Sequence, residues 1–275
     1  MTRVIDFHTH PYRPADLTPA MWQFVRETSP TVREHGDRLV DPHYFADLLR
    51  AQGVEHAVVL PEHCPQTSGT VRTETVIEWC AAEPDFLIPF ASVDINSDPD
   101  AAALLEGYLD TAPIRGLKLY PSYQFYYPND PRLYPIYDIC QTARIPVLLH
   151  IGSSVIPGTR IKYCDPVCLD DVAVDFPDLT VVMAHGGRGF WYDVCAFLAM
   201  HKPNFYIDVS GLVPASLRVH YPDLDRLAHK MVFGSDWPAM PKSVAANIAA
   251  IRALDLPQHA LEDLLFENAA RMLRL

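Results

Sequence analysis

Eight short apolar runs, rich in β-branched residues, recur along this chain with stretches of different pattern between them. They cover residues 4–8, 57–60, 87–93, 114–120, 147–150, 179–185, 204–209 and 231–236. Runs that are apolar at nearly every position are typical of parallel strands covered on both faces, because neither face of such a strand meets water. The sequence therefore predicts eight parallel strands.

Helical patterns lie between these runs, at residues 42–50, 73–80, 99–109, 133–143, 169–176, 191–201, 243–254 and 257–273. Alternating strands and helices indicate right-handed βα units. The alternative is an open doubly wound sheet, but no glycine-rich dinucleotide loop follows the first run, and residues 186–189 do not match G-x-G-x-x-G. We predict an α/β fold, a (β/α)8 TIM barrel formed by residues 1–275 as a single domain.

Two connections are longer than a barrel needs, at residues 11–40 and 120–133. Long loops on a compact domain are usually functional or disordered. The second contains five aromatic residues, Tyr120, Tyr123, Phe125, Tyr126 and Tyr127. We expect it either to cover a pocket or to pack against a neighbouring subunit.

Composition and charge exclude several classes of protein. With 49% hydrophobic and 20% charged residues the chain is not a disordered one. A net charge of −12 leaves no electrostatic footprint for nucleic acid or an anionic membrane, and no apolar run approaches the ~18 residues of a membrane span. The first six residues lack a signal segment, so we expect a cytoplasmic protein with reduced cysteines.

The motif His8-Thr9-His10 is the strongest functional signal. Residues i and i+2 of a strand point to one face, so both imidazoles can hold one metal ion. Further ligand-type side chains stand at or near the ends of four other predicted strands, and they are Lys118, His150, His185 and Asp236. Because all carboxyl ends of barrel strands meet at one face, the sequence predicts a metal site there.

The ordered set of motifs resembles the amidohydrolase superfamily, and specifically the amidohydrolase-related branch (amidohydrolase 2) that also contains decarboxylases. The resemblance runs from Asp6-Phe7-His8-Thr9-His10 to Phe233-Gly234-Ser235-Asp236-Trp237-Pro238. It implies one or two divalent ions, of zinc, iron or manganese. In the two-metal case His8, His10 and Asp236 hold the first ion, His150 and His185 the second, and a carboxylated Lys118 bridges them. In the one-metal case Lys118 has no such role and His185 acts as an acid–base group.

Hydrolysis of a small carboxylic ester, lactone or amide by a metal-activated water is the leading expectation for function, with Asp236 moving the proton. The resemblance adds non-oxidative decarboxylation as one alternative and a non-heme di-iron monooxygenase, hydroxylating an apolar substrate with O2, as another. A barrel retained only for binding is the remaining class, and the complete ligand set argues against it.

Residues near the predicted ligands suggest how a small-molecule substrate is held. Arg188 binds a substrate carboxylate or phosphate, or forms a salt bridge with Asp193 or Asp208. Asp208 is expected to orient a ligand histidine, and Glu62 and His63 are either pocket walls or a solvated loop. An aromatic pocket is predicted from Tyr123, Tyr126, Trp191 and Trp237. Oligomeric state is open, with a homodimer as the commonest assembly.

Overall fold

The strands that build the barrel are all present in the computed structural model, which describes residues 2–275. We number them β1 Ile5–Thr9, β2 His56–Val59, β3 in two pieces (Leu87–Pro89 and Ala91–Ser92), β4 Leu117–Leu119, β5 Val147–Gly152, β6 Val181–Arg188, β7 Phe205–Asp208 and β8 Met231–Val232. Each falls within or overlaps one of the eight predicted runs. The predicted TIM barrel is confirmed.

Parallel pairing runs around the whole ring. The first piece of β3 pairs with β2 and the second with β4, so this strand changes partner after Pro89. Backbone hydrogen bonds close the seam between β8 and β1: the Phe7 amide donates to Phe233 (2.8 Å), the Asp236 amide to His8 (2.8 Å) and the His10 amide to Trp237 (2.9 Å). The seam therefore brings the His8-Thr9-His10 motif directly beside Asp236.

The helices occupy the outside of the ring. They are α1 Pro19–Thr28, α2 Pro30–His35, α3 Pro42–Ala51, α4 Thr73–Ala82, α5 Ala101–Thr111, α6 Pro121–Gln124, α7 Tyr134–Ala143, α8 Leu169–Asp175, α9 Tyr192–His201, α10 Leu217–His220, α11 Leu224–Leu227, α12 Val244–Arg252, α13 Gln258–Glu262 and α14 Asn268–Leu273. The helix predicted over 257–273 is divided by a π-helical turn, Asp263–Glu267. Directly after this turn, the side-chain amide of the buried Asn268 donates to the carbonyls of Ala228 (3.0 Å) and Met231 (2.7 Å). These hydrogen bonds anchor the segment to the start of β8.

The connection at residues 11–40 is largely helical, which corrects its prediction as a loop. Thr18 caps α1 and Ser29 caps α2 through side-chain oxygens that accept from Met21 and Val32 amides. Each helix begins with a proline, which suits the first helical position because its missing N–H has no partner there. The connection at 120–133 likewise contains the short helix α6.

Apolar side chains fill the inside of the barrel below its mouth. Phe7 and Phe90 meet edge to face, with ring centroids 5.6 Å apart. A Cβ at Gly116 would lie 2.3 Å from the Phe90 ring, so only glycine leaves room for it. The polar side chains at the carboxyl end of the strands thus lie above a layer of tightly packed apolar side chains. Within residues 2–275 no helix is long and apolar enough to cross a membrane.

Candidate metal centre

All six predicted ligand residues line one cavity at the mouth of the barrel. The imidazole of His185 is central to the group: its centroid lies 5.2 Å from that of His8 and 4.5 Å from that of His150. His10 and Asp236 complete the β8–β1 side, and the buried side chain of Lys118 rises from β4. Strand order thus brings together residues that are more than 200 positions apart in the sequence.

The Nε2 lone pair of His8 is directed towards Asp236. Its Nδ1 lies 2.6 Å from Asp208 Oδ2, and since a carboxylate accepts, that nitrogen carries the proton. Burial lowers the pKa of His8, so Nε2 keeps its lone pair, 3.6 Å from Asp236 Oδ1. The predicted contact of Asp208 with a ligand histidine is present.

Asp236 is held as a carboxylate. Burial by itself raises the pKa of this group, but the hydrogen bond from His10 and the neighbouring imidazoles hold that pKa well below its usual range. His10 Nε2 lies 3.4 Å from Asp236 Oδ1. One ligand atom from each of His8, His10 and Asp236 lies within 4.8 Å of the others. A cation bound between them would replace the His10–Asp236 hydrogen bond, with His8 Nε2 and His10 Nε2 as electron-pair donors.

His150 presents a fourth donor to the same space. His185 Nδ1 lies 3.0 Å from the Ser210 carbonyl oxygen, which only accepts, so Nδ1 of His185 carries its proton. Burial lowers the pKa of both histidines well below the usual value. His185 Nε2 therefore accepts from His150 Nδ1 at 3.1 Å, which leaves the buried His150 Nε2 with a lone pair and no hydrogen-bond partner within residues 2–275.

These residues fit a divalent cation. The three converging groups supply two imidazole nitrogens and one carboxylate oxygen, and the unpartnered His150 Nε2 lines the same cavity as a further donor. Such a set suits zinc, iron or manganese. His185 differs from the other histidines because both of its ring nitrogens are engaged within the protein.

Lys118 is fully buried, and its Nζ has no hydrogen-bond partner among the described residues. Burial lowers the pKa of this amine to about 8. Its Nζ lies 4.9 Å from the centre of the Tyr120 ring, and its charge contributes to the lowered pKa of His8 and His150. A free ammonium here opposes a second cation, so a two-metal site needs the carboxylated form.

The backbone is strained at two of the candidate ligands. His185 has φ of 65° and Asp236 has φ of 60°, in the left-handed region that non-glycine residues rarely adopt. Such strain persists where the surroundings over-determine it, often at functional sites. Gly234 shows how close the packing is, because a Cβ there would lie 2.3 Å from Asp208 Oδ1 and 2.7 Å from His8 Cβ.

The cavity has a volume of about 360 Å³ and mostly apolar walls. Met21, Phe24 and Val25 of α1 form one side, and Tyr120, Tyr123 and Ile156 form another. Sequence reasoning missed the α1 side, because it treated 11–40 as a loop. The spacing of those three residues, at i, i+3 and i+4, is the signal that would have found an amphipathic helix there.

Three residues predicted to bind substrate do not reach the cavity, whereas Tyr123 does. Trp237 follows Asp236 directly and points the other way, so its ring packs 4.6 Å from Phe45 in the helix layer. Tyr126 is buried in the core and donates to Gln124 Oε1. Trp191 packs beside Phe190, with centroids 5.6 Å apart. These three positions correct the predicted aromatic pocket.

Arg188 lines the cavity without an acidic partner among residues 2–275, which corrects the salt bridge to Asp193 or Asp208. Its Nε and Nη2 donate to the Ser153 carbonyl (3.1 and 2.6 Å), and Nη1 donates to Gly211 (3.3 Å). The guanidinium is thereby fixed in place while its charge stays available to an anion.

Comparisons with known proteins agree with this architecture. The family model described as "Amidohydrolase" matches residues 5–275, and no curated protein matches the chain. An uncharacterised TIM-barrel protein from Bordetella bronchiseptica is 26% identical, with 99% of this chain and 98% of that chain covered and a TM-score of 0.82.

Two more distant structures share the fold alone. One is 5-carboxyvanillate decarboxylase from Novosphingobium aromaticivorans, complexed with manganese and 4-hydroxy-3-methoxy-5-nitrobenzoic acid (16% identity, 100% and 96% coverage, TM-score 0.72). The other is a probable 2-pyrone-4,6-dicarboxylic acid hydrolase from Acinetobacter baumannii (18% identity, 99% and 100% coverage, TM-score 0.67).

Proposed function

This chain belongs to the amidohydrolase family, and from that premise we propose that it is a metal-dependent decarboxylase of small aromatic carboxylic acids. The sequence favoured hydrolysis, with decarboxylation as an alternative. The site geometry reverses that order.

The converging group of His8, His10 and Asp236 carries the proposal, because each of the three offers a ligand atom within 4.8 Å of the others. His150 and His185 lie outside that group and are hydrogen-bonded to each other. This arrangement supports one cation with histidines beside it. Hydrolysis by a bridged pair of ions would instead require both histidines as ligands of a second ion and Lys118 in its carboxylated form.

A bound divalent ion would supply a Lewis acid that holds the carboxylate of the substrate. In the proposed reaction the bond between the ring carbon and the carboxylate breaks, CO2 leaves, and the ring carbon takes up a proton. Asp236 and His185 border the cavity where this proton is taken up, and His185 delivers it only once its Nε2 has left His150. Arg188, fixed by the Ser153 and Gly211 carbonyls, orients the anionic substrate.

The walls of the cavity support a flat, apolar substrate body. Aromatic and aliphatic side chains from α1 and from the segment after β4 surround a space of about 360 Å³, within the usual size range of small-molecule sites. The decarboxylase and the hydrolase with this fold indicate only that the barrel supports both reactions.

Hydrolysis remains a second candidate because of Lys118. Carboxylation of a lysine requires its neutral amine, and a pKa of about 8 makes that form accessible near neutral pH. Di-iron monooxygenation, the third hypothesis, requires two iron ions in the same cavity. Metal stoichiometry therefore separates the three reactions.

The test combines elemental analysis of protein purified without chelators with assays of CO2 release from benzoates and hydroxybenzoates. We expect about one metal ion per chain and metal-dependent CO2 release. Two zinc or manganese ions per chain, with hydrolysis of esters or lactones, would replace the proposal by the second candidate. Two iron ions with reductant-dependent O2 uptake would favour the third, and metal-independent activity would contradict all of them.

A further inference from the structure

Glu62 is a buried carboxylate in the wall of the same cavity. It follows β2 and begins the first strand of a short antiparallel hairpin, Glu62–Cys64 with Gly69–Val71. Only 7% of its surface is exposed, and that part faces the cavity. The proposed reaction assigns no role to this side chain.

The hydroxyl and guanidinium donors around the cavity are committed to other acceptors, and the Lys118 amine forms no hydrogen bond with Glu62. The Tyr120 hydroxyl donates to the Pro61 carbonyl, and the Tyr123 hydroxyl pairs with Ser154 at 2.8 Å. Arg13 Nε donates to Asp16 at 2.9 Å. Arg188 binds two carbonyls, and Lys118 Nζ has no partner in the described chain. Across residues 2–275 the Glu62 carboxylate accepts no side-chain or backbone hydrogen bond.

A carboxylate at the wall of a mostly apolar cavity has only solvent as a donor, and a ligand that fills the cavity displaces that solvent, so binding costs free energy unless the ligand supplies a donor of its own. Glu62 therefore has the properties of a recognition group whose donor arrives with the ligand. Its negative charge also opposes a second carboxylate at this wall. The arrangement selects a hydrogen-bond donor and rejects an anion.

The position of Glu62 in the ring of strands determines which residue lies across the cavity from it. It follows β2, whereas Arg188 ends β6. In a closed ring of eight strands, two strands four places apart lie on opposite sides. Glu62 and Arg188 thus present opposite charges from opposite walls of one apolar cavity.

We propose that Glu62 is a specificity-determining residue that accepts a hydrogen bond from a hydroxyl group on the aromatic ring of the substrate, at the wall facing Arg188. This inference rests on the proposed function. It narrows the substrates to hydroxylated aromatic acids whose hydroxyl group reaches the β2 wall.

The test measures binding of benzoate and of 2-, 3- and 4-hydroxybenzoate to the metal-loaded protein by calorimetry, for the wild type and Glu62→Gln. Because a hydrogen bond to a charged group is strong, we expect at least one hydroxybenzoate to bind the wild type about 10-fold or more tighter than benzoate. Glu62→Gln keeps an amide oxygen that accepts but loses the charge, so it should reduce that ratio several-fold. Glu78→Gln, on the exposed surface of α4, is the matched control and should keep the ratio.

Melting temperature provides a second readout. If Glu62 is held for recognition, Glu62→Gln should melt at the same temperature as the wild type, because no hydrogen bond among the described residues is lost. A lower melting temperature would indicate a structural role. Equal binding of all four acids, no binding of any, or an unchanged ratio in Glu62→Gln would overturn the inference. If Glu62→Gln loses the binding ratio but the wild type releases no CO2, the role of Glu62 is kept and decarboxylation is rejected. If the wild type releases CO2 but the binding ratio is unchanged in Glu62→Gln, decarboxylation is kept and the role of Glu62 is rejected.

Discussion

At the scale of single residues, hydrogen-bond partners set the tautomers of the candidate histidines and so the roles we propose for them. The Ser210 carbonyl fixes the proton of His185 on Nδ1. Because His185 Nε2 then accepts, His150 Nδ1 is the donor in the hydrogen bond between the two rings. His150 Nε2 is then left as a free donor. Two histidines that look equivalent in the sequence thus receive different roles.

This difference leads to a paired prediction. His150→Ala should lower the bound metal per chain strongly, because it removes a ligand atom. His185→Ala should keep most of the metal but lose about 10²–10⁴-fold in kcat, as expected when a general acid–base group is removed. Elemental analysis and CO2 release measured on both variants check it. Equal loss of metal in the two variants would instead support a two-metal site.

Asp208 is expected to act through His8. Its carboxylate accepts from His8 Nδ1 at 2.6 Å and from the Ser210 amide at 2.8 Å, which orients the imidazole. Asp208→Asn should weaken metal binding by about 10–100-fold, in line with the loss of other outer-shell partners. Competition with a chromophoric chelator measures the affinity. Asp193→Asn, at an exposed position of α9, is the control and should bind metal like the wild type.

At the scale of elements, an ion pair ties the Glu62–Cys64 hairpin to the segment before α5. His63 Nε2 lies 3.0 Å from Asp98 Oδ1. The hydrogen bond that His63 donates to Asp98 raises the pKa of His63. Burial by itself raises the pKa of Asp98, but the bond to His63 lowers it overall. The pair is therefore fully charged between the acidic range of Asp98 and the raised pKa of His63.

The stabilisation from this pair should depend on pH. A raised histidine pKa contributes stability below the unfolded pKa of about 6.5, and this contribution is lost as pH rises through the folded pKa. His63→Gln should lower the free energy of unfolding by about 1 kcal/mol at pH 5.5 and by less at pH 8.5. Denaturant titration at both pH values tests this. The same loss at both would show that packing, and not charge, holds the hairpin.

At the scale of the whole molecule, the candidate metal site lies across the seam that closes the barrel. His8 lies in β1 and His10 directly follows it, Asp236 follows β8, and His150 lies in β5. A cation bound by all four connects the first and last strands. Binding to the folded state alone stabilises it, by about 3 kcal/mol at a free metal concentration 100-fold above Kd.

Chelation should therefore lower the melting temperature by roughly 5 °C or more, and adding back the metal should restore it. Calorimetric melting of metal-loaded and chelated protein measures the shift. The His10→Ala variant should melt at the same temperature with or without metal. A wild-type melting temperature that is unchanged by the chelator would argue against a bound cation at the seam.

Local pattern alone determined most of the barrel and the list of metal ligands. Apolar runs of strand length and the helices between them are properties of neighbouring residues, and the ends of parallel strands in a barrel necessarily meet. The amphipathic helix α1 could also be predicted from the spacing of its apolar residues, although the sequence analysis predicted only a long connection there.

Only the tertiary structure decided what each side chain touches. Trp237 and Tyr126 carry no local signal that they face the core, because their direction depends on strand register and on the neighbours that pack against them. The roles of His150 and His185 depend on the Ser210 carbonyl, and the significance of Glu62 depends on where the surrounding hydroxyl groups donate. Hydrogen-bond partners distant in sequence set these properties, since proton positions and desolvation are fixed only when the chain has closed into the barrel.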